Sequence, residues 1–281
     1  MRDYALILAN DFSREEEILA LTAQTAPYLD GVKLGLTSTL HPGLDIFLKV
    51  QALLGDKPLF ADFKIADIGH YEKKTGRWEG TNAKILRTLT GLGIQPYVTV
   101  HAFPGPASLE EAITVAHQEG AKVLTLAHMT GKGADLFFGH PLRLDHATAV
   151  LQQYYGDRKS PEELEDDLHD FEMTFPPSAR TLSTFILWLG HELGTDGYIA
   201  PLNRPDLLEV YTLFPDKEIW SPGLGRQDTL HRSLDQQFRD WAEIVGPDSR
   251  AIVGSLLSSS PDPAQAASDL SCLRDRVVAS L

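Results

Sequence analysis

Phe60-Ala61-Asp62-Phe63-Lys64-Ile65-Ala66-Asp67-Ile68-Gly69 places two carboxylates and an ammonium within six residues, at the end of an apolar run. On an extended backbone Asp62 and Lys64, two apart, point to the same side. Asp67 falls just beyond, where the chain is expected to leave a sheet. Two carboxylates flanking an ammonium are costly to bury unless paired. Such a set suits proton transfer or the stabilisation of separated charge. The competing reading is a structural ion-pair network, which burial on a sheet strand disfavours because such pairs rarely add stability there.

Outward from this stretch, short β-rich runs alternate with helical patterns. Strands are expected at 4–9, 31–34, 58–62, 97–101, 122–127, 197–200, 218–221 and 251–254. Between most of them, as at 14–28, 108–119 and 204–214, apolar residues recur at helical spacing. Strand, helix, strand repeated in this way implies parallel pairing, and eight units predict a closed α/β barrel of the (β/α)8 TIM type. An open doubly wound sheet is the alternative. Asp11, Lys33, Asp62, Lys64, His101, Thr130 and the run 223–227 all fall at or just after the expected C-terminal ends of strands. In a barrel these positions converge on the rim that carries the chemistry.

The chain has 281 residues, and one such barrel takes about 250, so a single domain over 1–281 is expected. Two insertions interrupt it, at about 70–79 and 156–180. The first, HYEKKTGRWE, is polar and is expected to form a flexible loop or lid at the mouth. The second, rich in acid and then carrying Pro176-Pro177, is expected to form a solvated helix and a turn on the outside. No apolar run is long enough to span a bilayer and no signal peptide is evident. Cys272 is the single cysteine, which rules out an intrachain disulfide or a cysteine metal cluster and leaves the cytoplasm as the expected location. A net charge of -14 argues against nucleic acid or an anionic membrane as partner. A small anionic substrate in a local basic pocket remains compatible with it.

The remaining candidates differ in strength. A lone Lys33 would ordinarily be a snorkelling surface group, but in a barrel its strand adjoins the third, which lets it pair with Asp62. Asp11 taken alone reads as a helix N-cap. His101 is as readily a satisfied structural histidine as a ligand contact. The ten histidines are dispersed without metal-ligand spacing. Ser221-Pro-Gly-Leu-Gly-Arg-Gln227, with Val253-Gly254-Ser255, suits a phosphate held by the loops after strands seven and eight. Gly131-Lys-Gly-Ala134 is not a complete P-loop.

Together these residues resemble the orotidine 5'-phosphate decarboxylase family over nearly the whole chain apart from the insertions. The most specific element, Asp62-Phe-Lys64-Ile-Ala-Asp67-Ile68, matches that family's D-x-K-x-x-D-I signature. Asn10-Asp11, Val32-Lys33-Leu-Gly35, Val100-His101-Ala-Phe-Pro-Gly105 and Thr125-Leu-Ala-His-Met-Thr130 with Gly133-Ala-Asp135 are similar to its other strand ends, and Glu79-Gly-Thr81-Asn82 to the segment after the signature. The resemblance implies a cofactor-free, metal-free decarboxylation of orotidine 5'-phosphate to uridine 5'-phosphate in pyrimidine biosynthesis. It implies a charge network of Lys33, Asp62, Lys64 and a second subunit's Asp67, with Lys64 protonating C6. It further implies that Asp11, Ile68, Thr81, His101 and Thr130 (where the family usually has serine) contact the nucleoside. Gly225, Arg226, Gln227, Gly254 and Ser255 would surround the phosphate. Ile68 and Thr81 would come from the partner of a homodimer with shared sites. Magnesium-using relatives carry a glutamate where this chain has Lys33, whose charge would repel the cation. The family's usual arginine after the strand-eight glycine is replaced by Ser255; Arg226, or more distantly Arg204, is expected to compensate. The alternatives are a related lyase acting on a modified or unphosphorylated pyrimidine nucleoside, and a non-catalytic nucleotide-binding descendant.

Overall fold

Burial on both faces is what makes the strands of this chain read as continuous apolar runs. In the segment Tyr4–Asn10 (β1) every residue after the first is buried. Leu6 and Leu8 pack outward against helices, while Ile7 faces inward with Phe60, Leu124, Trp220 and Ile252. The computed structural model describes residues 4–129, 131, 133–225 and 231–281. Its other strands are β2 (Gly31–Gly35), β3 (Leu59–Ile65), β4 (Tyr71–Glu72), β5 (Arg77–Trp78), β6 (Tyr97–His101), β7 (Lys122–Leu126), β8 (Gly197–Ile199), β9 (Glu218–Pro222) and β10 (Ser249–Val253). All but β4 and β5 pair in parallel into a closed barrel, in the order β1-β10-β9-β8-β7-β6-β3-β2. Each of the eight expected strands is present, with ends shifted by up to three residues. Close strand approach explains one glycine: a Cβ on Gly197 would lie 2.3 Å from the Glu218 carbonyl oxygen.

The barrel is plugged at one end and open at the other. Trp220 fills the interior, its ring centroid 5.1 Å from Phe60 and 4.6 Å from Tyr97. At the N-terminal end of β9, Glu218 accepts hydrogen bonds from Tyr97 Oη (2.9 Å), Lys122 Nζ (3.1 Å) and Trp220 Nε1 (3.0 Å). These bonds satisfy a partly buried carboxylate. The opening therefore lies at the C-terminal ends of the strands.

Both insertions are more ordered than their polarity suggests. Residues 70–79 form an antiparallel hairpin, with Tyr71 opposite Trp78 and Glu72 opposite Arg77. The Tyr71 and Trp78 rings meet edge to face at 5.3 Å, Gly76 takes φ +66° in the turn, and Arg87 Nη2 donates to the Trp78 carbonyl at 3.0 Å. A cross-strand aromatic pair of this kind stabilises a short ladder, which accounts for a hairpin in place of the expected flexible loop. In the second insertion the helix Pro161–Thr174 starts with a Ser160/Glu163 capping box. Its acidic face is solvated as expected, but its apolar stripe is anchored: Phe171 is buried against Phe175, Phe185 and Trp188. Trp188 Nε1 also donates to Asp170 at 2.8 Å. Among the described residues no helix is long and apolar enough to cross a membrane.

Candidate active site

The site is built on an irregularity in β3. Its pairing with β6 runs Phe60↔Tyr97 and Ala61↔Val98, then resumes at Ile65↔Val100. Three residues, 62–64, thus stand opposite the single Thr99, and such a bulge re-aims side chains. Lys64 adopts φ +48°, a left-handed conformation that costs a non-glycine residue about 1 kcal/mol or more. Thr99 supports it, accepting the Lys64 backbone N–H at 3.0 Å and donating to Asp62 Oδ1 at 2.9 Å. Asp62 and Lys64 do share a side, but through this bulge rather than through an unbroken pleat.

Four charges follow in alternating sign. Asp11 Oδ1 lies 3.2 Å from Lys33 Nζ, which lies 3.1 Å from Asp62 Oδ2; Asp62 Oδ1 is 2.7 Å from Lys64 Nζ. Adjacent strands make the middle contact, since β2 pairs with β3 and sets Gly35 beside Asp62. Asp11 is not a helix cap: the helix Glu15–Thr25 begins at Arg14 without a side-chain cap, and the carboxylate turns to Lys33 instead. Burial by itself would raise the Asp62 carboxyl, but Lys33 and then Lys64 outweigh it and hold the group below its ordinary value. Burial likewise works against the Lys33 ammonium, and Asp62 and Asp11 reverse it, so its pKa is raised. Asp62 is therefore a fixed anion, with Lys64 the more exposed cation beside it.

These groups form one wall of a cavity of about 310 Å³. Leu126, Met129, Ile199 and Ile252 form an apolar wall, and Gly223, Gly254 and Ser255 a small-residue rim. The sequence-predicted residues Asp11, Lys33, Asp62, Lys64, Gly254 and Ser255 all line it. Five others lie outside that lining. Asp67, Ile68 and Thr81 are exposed. His101 Nδ1 accepts the Phe103 N–H at 3.1 Å, and its ring faces Phe138. Gly225 donates its N–H to Gln237 Oε1 at 2.8 Å and lies where a Cβ would strike Leu256. Thr130, Arg226 and Gln227 lie outside the described residues. Arg204 is committed elsewhere, forked between Asp135 (2.9 Å) and Asp206 (2.8 Å).

Three further residues were given no role in the sequence reading, although Asn82 and His128 fall within its family-like segments. Thr99 organises the bulge; its signal was a threonine in the buried run Tyr97-Val-Thr-Val-His101. Asn82 is fully buried and brackets Asp67, accepting its N–H and donating to its carbonyl, both at 3.1 Å. His128 lines the cavity and bonds Ser183 Oγ at 2.9 Å through Nδ1 and Asp135 Oδ1 at 3.1 Å through Nε2. Burial lowers its pKa, against the opposing pull of Asp135.

The chain is similar over 93% of its length to an orotidine 5'-phosphate decarboxylase of Methanococcoides burtonii, at 26% identity and covering 93% of that protein. A Methanosarcina mazei orotidine 5'-phosphate decarboxylase is 25% identical over 96% of this chain and 94% of its own length. In fold, the chain matches a crystal structure of the Methanocaldococcus jannaschii orotidine 5'-monophosphate decarboxylase complexed with the inhibitor BMP. That match has a TM-score of 0.68 and 22% identity, and covers 96% of this chain and 98% of that one. Residues 4–270 match the model of the orotidine 5'-phosphate decarboxylase / HUMPS family. With a closed parallel barrel and the Asp62–Lys64 signature at its open end, the chain belongs to that family.

Proposed function

We propose that this protein decarboxylates orotidine 5'-phosphate to uridine 5'-phosphate, without cofactor or metal, as a homodimer. The observation that carries the reading is Asp62 held between Lys33 and Lys64 at 3.1 and 2.7 Å on the wall of a cavity of nucleotide-base size. In this reading the pyrimidine lies against the apolar wall with its carboxylate toward Asp62. Losing carbon dioxide leaves an electron pair on C6. The Lys64 ammonium stabilises that charge from a preorganised position and then delivers a proton to the same carbon. Asp62 disfavours the substrate carboxylate and, with Asp11, holds Lys33 in its charged form against burial. A divalent cation at Lys33, as in the magnesium-using relatives, would face an ammonium already paired with two carboxylates.

Asp67 is the fourth member of the signature, yet it makes no ion pair with Lys33 or Lys64 of its own chain. Its backbone is clamped by Asn82 and its carboxylate accepts the Ile68 N–H at 2.7 Å. Such an ordered but exposed segment supports its delivery, with Ile68 and Thr81, to a second subunit's cavity. Asp11, Gly254 and Ser255 are assigned to the ribose and phosphate end; Thr130, Arg226, Gln227, His101 and Gly225 stand as candidates on the family resemblance. Pyrimidine biosynthesis in the cytoplasm is the setting this activity implies.

Ser255 favours testing a second substrate, the unphosphorylated nucleoside. Purified protein mixed with orotidine 5'-phosphate in the presence of a chelator is expected to show the ultraviolet change of carboxylate loss. Absence of conversion by folded protein, with turnover of orotidine instead, would move the assignment to the nucleoside; turnover of neither, with binding of uridine 5'-phosphate, would leave a nucleotide-binding protein.

A further inference from the structure

Glu111 is a fully buried carboxylate on the helix Pro106–Gln118, away from the cavity lining. Burying a carboxylate is costly, and an apolar side chain would fill the same place without that cost. Its partners are backbone N–H groups of the segment that follows the signature. The Gly80 N–H donates to its Oε1 at 2.6 Å, and the N–H groups of His70 and Ala83 also favour its ionised form. Burial outweighs them, and the carboxyl is raised above its ordinary value. A single side chain thus meets the chain on both sides of the 70–79 hairpin, which closes at its base where the Glu79 N–H donates to the His70 carbonyl at 2.8 Å.

The same contacts govern the helix that follows. The helix Thr81–Thr90 begins at Gly80 with no side-chain cap and no acid in its first turn. An anion at a helix start is favourable, and Glu111 supplies it from a neighbouring helix. A Cβ on Gly80 would lie 2.6 Å from both carboxylate oxygens, so the glycine makes room for the contact. Two residues on, Asn82 brackets the Asp67 backbone and also donates to the Ser108 carbonyl at 3.2 Å and to Ser108 Oγ at 3.0 Å. Gly69 crosses the same helix so closely that a Cβ there would lie 2.1 Å from the Ala107 carbonyl oxygen. Ala107, Ser108 and Glu111 therefore form one platform beneath residues 67–83.

We propose that Glu111 is a positioning residue for the reaction. By holding the Gly80 N–H it fixes the first turn of the helix Thr81–Thr90, and through Asn82 it sets the backbone of Asp67. The inference rests on the decarboxylase reading, in which Asp67 and Thr81 serve the site. The platform lets a ten-residue hairpin stand between these two residues without loosening either, because both ends of the hairpin are gathered at one carboxylate.

The test compares Glu111→Ala with Glu111→Gln, which keeps an oxygen for the Gly80 N–H. kcat for orotidine 5'-phosphate should fall on the order of tenfold or more in the alanine variant and return toward wild type in the glutamine variant. An unchanged kcat in Glu111→Ala would overturn the proposal. Combining Glu111→Ala with Asp67→Ala separates positioning from general destabilisation. If Glu111 acts through Asp67, its loss should add little once Asp67 is gone; the same fold-loss in both backgrounds would overturn that route. Should Glu111→Ala fail to fold by circular dichroism, Gly80→Ala replaces it, driving a methyl group against the carboxylate; kcat should fall likewise, and an unaltered kcat would count against the proposal. If the wild-type protein converts no orotidine 5'-phosphate, the decarboxylase reading fails separately, and hydrogen exchange decides the positioning. The Asp67 N–H should then exchange about tenfold faster or more in Glu111→Ala and near the wild-type rate in Glu111→Gln; equal rates in all three would refute it.

Discussion

Asp62 and Lys64 are held 2.7 Å apart by a break in the very strand that carries them. A regular strand would leave Lys64 in the ladder with β6. The bulge opposite Thr99 takes it out, at the cost of a left-handed backbone. Strain of this kind persists where surrounding structure over-determines it, and here the support is a single hydroxyl.

Replacing Thr99 by valine keeps the shape and removes that hydroxyl. The Lys64 N–H is left without its partner, so stability should fall by about 1–3 kcal/mol, read from the urea midpoint. kcat should fall with KM nearly unchanged, and Thr99→Ser should restore both. A variant with unaltered kcat would show that the bulge is not needed for chemistry.

Lys64→Ala removes the proposed proton donor from an exposed position. The decline in kcat should be on the order of 10⁴ or more, while the melting temperature moves by no more than a few degrees. Near-normal turnover by this variant would remove Lys64 from its role.

The Asp62 carboxyl is held below its ordinary value of 3.8. Its contribution to stability is therefore complete above that pH and is lost as pH falls through the lower folded value. Lys33 is raised above 10.5, so its contribution is complete below that pH and is lost as pH rises beyond it. Asp62→Asn should accordingly differ from wild type by a constant amount near neutrality, and the gap should close below about pH 4. Urea melts between pH 2 and 7 measure the gap; one that persists unchanged into acid would contradict the paired Asp62.

Ile68 stands exposed beside Asp67. If a second subunit covers it, Ile68→Lys should shift the protein toward monomer in sedimentation and depress turnover, with the circular dichroism spectrum unchanged. A variant that sediments like wild type would place the interface elsewhere.

Much of this architecture is local chemistry. Runs such as Ala5–Ala9 can be satisfied only by burial on both faces, and eight of them separated by helical patterns leave few parallel arrangements besides a barrel. The signature at Asp62, Lys64 and Asp67 and the placement of Lys33 were legible for the same reason, since neighbouring parallel strands bring their ends together. What one-dimensional spacing could not carry was geometry across strands. The residue opposite the bulge, the turn of Asp11 from helix cap to Lys33, the clamp of Asn82 on Asp67 and the stiffening of 70–79 by Tyr71 and Trp78 each depend on a partner 7 to 37 positions away. A side chain's local preference is worth about 1 kcal/mol, and a buried charge left unpaired costs several times that. Tertiary contacts therefore overrode the local reading wherever a buried charge needed a partner.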